Sequence, residues 1–144
     1  GSQGGALCSA VSALDGRVKL ALADVPSNSN LERRVEGAHG SYACATEYIR
    51  RYPDRMEQVY ETLSYFDTMN LADRIQAKVF ASVGLADPVC PALCYYATYN
   101  RIRSEKQICV YPFNEHDGAR ATHVEREIRF IRESGILEAA GTSA

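Results

Sequence analysis

The stretch "AKVFASVGLADPVCPALCYYATYNRIRSEKQICVYPFNEHDG", residues 77–118, decides how the chain folds. Residues 77–84 form a short run that is apolar on both faces. A strand covered by helices on both sides of a parallel sheet needs that pattern. Pro91 then opens a helical segment, 91–102, at a position where its missing N–H costs nothing. A second strand pattern follows at 106–113. Strand, helix and strand in succession predict a right-handed crossover within one parallel sheet. Outward from this unit the same grammar repeats. "VKLALADV" (18–25) is another run apolar on both faces, closed by Pro26-Ser27-Asn28. "ATHVEREIRFIRESG" (121–135) is an amphipathic helix ending at Gly135. Residues 3–14 read as a buried helix in which Gly4, Gly5, Ala6, Ser9 and Ala10 permit close approach to a sheet, and Asp15-Gly16 ends it.

Between the first two strands lies a helical insertion, 29–75. Asn30 is placed to cap a helix through Glu36. "SYACATEYIRRY" (41–52) is amphipathic and stops at Pro53, which itself begins "PDRMEQVYETLSYF" (53–66); "NLADRI" (70–75) makes one more short turn. The expected architecture is α/β: one domain over 1–144, with three parallel strands, flanking helices and the insertion. The tail from 136 to 144 is expected to fray.

Composition sets further bounds. A chain of 144 residues fits one domain with a real core. A net charge of −2 gives no pull toward nucleic acid or anionic membranes. No apolar stretch reaches the length of a bilayer span, and the first residues lack the basic and apolar regions of a signal peptide. The five cysteines, Cys8, Cys44, Cys90, Cys94 and Cys109, include no CxxC pair. They read as reduced, mostly buried thiols of a cytoplasmic protein, with no metal site among them.

In a parallel α/β sheet, ligand chemistry gathers at the carboxyl ends of the strands. Three reactive residues fall there or directly beside it. Ser2 precedes the first helix, Asp87 follows the strand at 77–84, and His116 follows the strand at 106–113. Serine, acid and histidine in this chain order are the parts of a nucleophilic relay of the α/β-hydrolase type. The hydroxyl needs a base, and the base needs an acid to fix its tautomer. Gly1, Gly4 and Gly5 suit a strained turn at the serine, and the Gln3 backbone N–H is positioned as one oxyanion donor.

Together, "GSQGG", "ALADVP", "YFDTMNLADRI", "SVGLADPVCPA" and "YPFNEHDG" resemble the acetyl xylan esterase/cephalosporin C deacetylase family, carbohydrate esterase family seven. The resemblance runs from Gly1 to about Glu133 and covers the C-terminal part of such an α/β-hydrolase. It implies Ser2 as nucleophile, Asp87 as acid and His116 as base. The implied substrates are acetylated xylo-oligosaccharides and small acetyl esters such as cephalosporin C, with no metal or organic cofactor. It also implies a homo-oligomer, a hexamer in the family. About five strands that precede the serine in the family, with the loop carrying a second oxyanion donor, are not in this chain. A chain supplying that half is therefore an expected partner. Two positions depart from the family pattern: Pro91-Ala92 stands where two prolines are frequent, and Asp117 where a glutamate is common.

Other readings stay open at this level: the chain also reads as a non-catalytic fragment or one chain of a split α/β-hydrolase, and as a peptidase or lipase-like relative on the same fold. Ser2 also reads as part of a Gly-Ser tag. Asp87 is also placed to cap the helix near Pro91, and Asp24 is a rival acid at a strand end. His116 also reads as part of a solvated polar loop. His39 reads as a loop residue and His123 as a surface residue on its helix. Tyr95, Tyr96 and Tyr99 read as core and interface rather than a sugar platform. "EREIRFIRE" reads as a solvated face.

Overall fold

The computed structural model describes residues 1–137, so all but the first two residues of the expected frayed tail lie outside the described residues. Helix α1 (Gln3–Leu14) leads to strand β1 (Leu20–Asp24). The insertion carries α2 (Leu31–Glu36), α3 (Ala43–Arg51) and α4 (Met56–Ser64), joined by short 3₁₀ turns. Strand β2 (Lys78–Gly84), helix α5 (Ala92–Arg101), strand β3 (Lys106–Tyr111) and helix α6 (Arg120–Glu133) complete the order.

The strands lie in the order β1-β2-β3, both pairs parallel, as the sequence predicts. Central β2 is buried along its length after Lys78, which accounts for its unbroken apolar run. Its alternate residues serve two layers. Val79, Ala81 and Val83 join Ala21, Tyr95 and Ile102 in the main core. Phe80 faces the other way and stacks on Phe130 of α6 with ring centroids 4.7 Å apart. Tyr95 is fully buried in that core, with Tyr96 and Tyr99 packed against it, so the tyrosines of α5 are packing residues.

Helix α1 lies close against β1 because Gly5 has no side chain: a Cβ there would meet the Asp24 carbonyl oxygen at 2.8 Å and Pro26 Cα at 3.2 Å. The far side of α1 exposes Leu7, Val11 and Leu14, and α6 exposes Val124 and Ile128. Strand β1 pairs only with β2, so its other edge is open among the described residues. None of the helices described is long and apolar enough to cross a membrane.

Two local expectations are corrected. Asn30 does not cap α2: it sits in the left-handed region at φ 49° and its side chain makes no capping bond. Asp67 takes that role from the far end of the insertion. Its carboxylate accepts from Asn30 N at 3.0 Å and Leu31 N at 2.7 Å, and from Met69 N at 2.9 Å in its own turn. The other correction concerns the thiols. All five are free, but only Cys90 and Cys94 are buried, and Cys44 is exposed.

Candidate active site

The turn at Ser2 is built by the end of β1. Ser2 has φ 53° and ψ −118°, a region that side chains other than glycine's enter only under constraint. The constraint is visible. Ser2 N donates to the Asp24 carbonyl at 2.8 Å, and the Ser2 carbonyl accepts from Ser27 N at 3.1 Å and Ala6 N at 3.0 Å. The serine is thus held beside the carboxyl end of β1, with its hydroxyl standing clear of the strand. Gln3 is the first residue of α1, so its N–H has no intrahelical acceptor.

His116 lies in the loop after β3. Its Nε2 accepts from the Ser2 hydroxyl at 3.0 Å, and its Nδ1–H donates to Asp87 Oδ2 at 2.8 Å. Asp87 is buried, and its other oxygen accepts from Val89 N at 2.8 Å and Cys90 N at 2.9 Å. Asp87 therefore caps its own turn rather than α5, and its free oxygen is aimed at the histidine. The loop reaches this position because it crosses over the end of β2. Ala86 N donates to the Asn114 carbonyl at 3.1 Å, and any Cβ on Gly84 would overlap the Asn114 and Glu115 carbonyls. All three side chains predicted from the sequence are thus brought together, and Gln3 follows Ser2 as the first residue of α1.

Such a relay does one kind of chemistry well. The imidazole withdraws the serine proton as the oxygen attacks a carbonyl, and the buried carboxylate favours the imidazolium that forms. Cys90 Sγ lies 4.0 Å from Ser2 Oγ. Burial pushes its thiol up, although the neighbouring Arg34 pulls the other way, so it borders the Ser2 hydroxyl as a neutral thiol.

Asp24, the rival acid, is engaged elsewhere. Its Oδ1 accepts from His123 Nε2 at 2.7 Å, while His123 Nδ1 and the Tyr111 hydroxyl share a hydrogen bond of 2.9 Å. This corrects the reading of His123 as a surface residue: it is 2% exposed and stacks on Phe80 at 5.5 Å. The signal was its spacing of seven from Phe130, which puts both on one helix face. His39 lies in a loop, as expected. Burial raises the Asp24 carboxyl, but hydrogen bonding to His123 and its charge outweigh this, so the group sits below its ordinary value.

We expect His123→Leu to destabilise the fold by about 2–4 kcal/mol, because it leaves Asp24 and Tyr111 without their partner. A depressed carboxyl contributes stability above its unfolded value, about 3.9, and loses it as pH falls through the lower folded value. Asp24's share of the difference between the two proteins should therefore fade below about pH 4. Urea denaturation at several pH values measures this, and equal midpoints at pH 7 would show that the network contributes nothing.

Among the described residues, two sets of atoms lie at metal-ligand spacing, Asp87–Cys90–His116 and Asp24–His123–Glu127. In each, the carboxylate and imidazole already hydrogen-bond to one another, which accounts for the clustering.

Parallel strands with helices on both faces, and a serine–histidine–aspartate relay at the strand ends, define the α/β-hydrolase class. The family model for acetyl xylan esterase matches residues 1–134. The acetyl xylan esterase from Paenibacillus sp. R4 superposes with a TM-score of 0.86 at 40% identity, over 92% of this chain and 43% of that one. Acetyl xylan esterase 1 from Thermoanaerobacterium sp. JW/SL YS485 gives 0.82 at 37% identity, with the same shares. The acetyl esterase Axe7A of Xylanibacter ruminicola is 32% identical over 117 residues, 81% of this chain and 26% of the relative. The chain belongs to the acetyl xylan esterase family. It spans less than half the length of these relatives.

Proposed function

We propose that this chain carries the nucleophile, base and acid of a serine esterase that removes acetyl groups from acetylated xylo-oligosaccharides and small acetyl esters, cephalosporin C among them. The hydrogen-bonded order Ser2–His116–Asp87 carries the proposal. Ser2 Oγ attacks the acetyl carbonyl as its proton passes to His116 Nε2. The Gln3 N–H stabilises the oxyanion. His116 then gives the proton to the departing alcohol, leaving acetyl on Ser2. A water deprotonated by His116 attacks the ester, and acetate departs with Ser2 reprotonated. Membership of the acetyl xylan esterase family supports the choice of acyl group. The assay is hydrolysis of 4-nitrophenyl esters of increasing acyl length. Acetate should be the best substrate, with activity falling steeply by butyrate; octanoate cleaved as well as acetate would contradict the reading.

A second reading concerns what the chain needs beside it. The open edge of β1 and the apolar faces of α1 and α6 favour a further α/β segment, in this protein or a partner chain, that completes the sheet. That segment would also bring a second oxyanion donor, a contribution of about 10²–10³-fold in rate. The 144 residues alone should therefore associate and turn over poorly. Light scattering after size exclusion, run beside the acetyl-ester assay, tests this: a monodisperse monomer with normal turnover would contradict it. We place subunit contacts of a homo-oligomer on α3 and α4, which expose Tyr48 and Met56 near exposed Tyr52, and free thiols fit a reducing compartment.

A further inference from the structure

A buried imidazole that the relay does not use joins the ends of all three strands. His123 of α6 donates from Nε2 to Asp24 Oδ1 at 2.7 Å, at the end of β1. Its Nδ1 shares a 2.9 Å hydrogen bond with the hydroxyl of Tyr111, at the end of β3. Central β2 enters through Ser82, fully buried, whose Oγ donates to the same Asp24 oxygen at 3.4 Å. Filling the space against Phe80 needs only an apolar side chain. Burying an imidazole and a carboxylate together carries a desolvation cost that such a side chain avoids.

Both ends of this network hold backbone that carries the relay. The Asp24 carbonyl accepts from Ser2 N at 2.8 Å, and Ser27 N donates to the Ser2 carbonyl at 3.1 Å. The turn 24–27 thus grips Ser2 at both of its backbone groups. Between those two contacts stands Val25 with φ 35°, left-handed backbone that a β-branched residue adopts only when its surroundings force it. The carbonyl and Oγ of Ser82 accept from Val25 N at 3.0 and 3.3 Å, and His123 fixes the Asp24 side chain beside it. At the other end of the network, the Tyr111 carbonyl accepts from Leu85 N at 3.0 Å and from Asn114 N at 3.3 Å. Leu85 begins the loop to Asp87, and Asn114 stands two residues before His116.

We propose that His123 is a positioning residue for the relay: through Asp24 it holds the turn that grips Ser2, and through Tyr111 it holds the origins of the two loops that bring Asp87 and His116 to it. This rests on the esterase reading above and adds to it a residue that touches neither substrate nor reacting atoms. A displacement of about 1 Å between the hydroxyl and the imidazole would cost roughly 10²-fold in rate. A purely structural His123 would lower stability and leave the rate of the folded protein unchanged.

The test measures acetylation of Ser2 by 4-nitrophenyl acetate in the burst phase, on the assembled protein, at a temperature where circular dichroism shows each variant folded. The His116 Nδ1 proton, hydrogen-bonded to Asp87, is followed by NMR in the same proteins without ester. His123→Leu should lower the acetylation rate constant by about 10²-fold, with the half-saturating ester concentration within about twofold of the parent's. It should also move the proton resonance. His123→Gln, whose amide N–H can reach Asp24 as Nε2 does, should recover most of the rate. Tyr111→Phe keeps the ring, removes one hydrogen bond, and should cost about tenfold. Ile102→Ala is the control: it cuts into the core layer on the opposite face of the sheet from His123, and should lower stability with rate and resonance unchanged. Should His123→Leu not fold, Tyr111→Phe decides by the same two readouts. A parental rate or an unmoved resonance in the folded His123→Leu or Tyr111→Phe protein would overturn the proposal, and so would an equal fall in rate for Ile102→Ala. The esterase reading is judged separately, by the parent protein. If its Ser2 stays unacetylated, that reading fails and the resonance alone judges the positioning: moved by His123→Leu and in place with Ile102→Ala supports it, and any other pattern overturns it. Acetylation of Ser2 that the His123 and Tyr111 variants leave unslowed counts against His123 alone.

Discussion

Ser2→Ala and His116→Ala should each lower acetyl-ester turnover of the competent assembly by about 10⁴-fold or more, and the double variant should be little worse than either alone. In the proposed mechanism the hydroxyl and imidazole act as one device: the 3.0 Å bond between them is the path by which the proton would leave as the oxygen attacks. Removing either end disables both. Asp87→Asn should cost a similar factor by a different route. An amide can donate to His116 Nδ1, which would place the proton on Nε2, the atom that must accept from Ser2. Its stability should change less than its rate, since Val89 N and Cys90 N keep an oxygen to bond to. Steady-state kinetics beside thermal denaturation separate the two effects. An Asp87→Asn protein with full activity would remove this residue from the relay.

Gly84→Val should be the substitution outside the relay that most reduces activity. Gly84 ends β2 where the loop bearing His116 crosses it, with the carbonyls of Asn114 and Glu115 where a side chain would begin. The clash is with backbone, so no rotamer relieves it. The loop must lift, and the hydrogen bond from Ala86 N to the Asn114 carbonyl goes with it. Overpacking of this kind costs about 1–3 kcal/mol. A displacement of about 1 Å at His116 would cost roughly 10²-fold in rate. The variant should therefore be less stable and at least a hundredfold less active. Retention of wild-type turnover would show that the loop is not held by this contact.

The strands and the relay were legible because each rests on a strong local rule. Residues 18–25, 77–84 and 106–113 read as strands, and the structure pairs 20–24, 78–84 and 106–111. The differences lie at ends, where residues such as Val25 and Pro112 keep an apolar character but leave the ladder. Ser2, Asp87 and His116 stood out because strand ends converge in a parallel sheet. What remained hidden depends on contacts distant in the chain. Asp67 caps a helix that begins 36 residues earlier, so no local pattern marks it. Arg34 sits in the short helix through Glu36, where nothing local marks one arginine as buried; Tyr42 and Val89 contact it from two other segments. His123 lies on a helix rich in charge, and its partners Asp24, Phe80 and Tyr111, all on strands distant in the chain, hold it inward.

The most direct test of the account is the site of acetylation during turnover. The assembled protein is mixed rapidly with 4-nitrophenyl acetate, quenched in acid, digested and sequenced by mass spectrometry. One acetyl group should appear on Ser2, formed in a burst with nitrophenol release and absent from the His116→Ala protein. Rapid hydrolysis with Ser2 unmodified, or with acetyl carried by another residue, would contradict it.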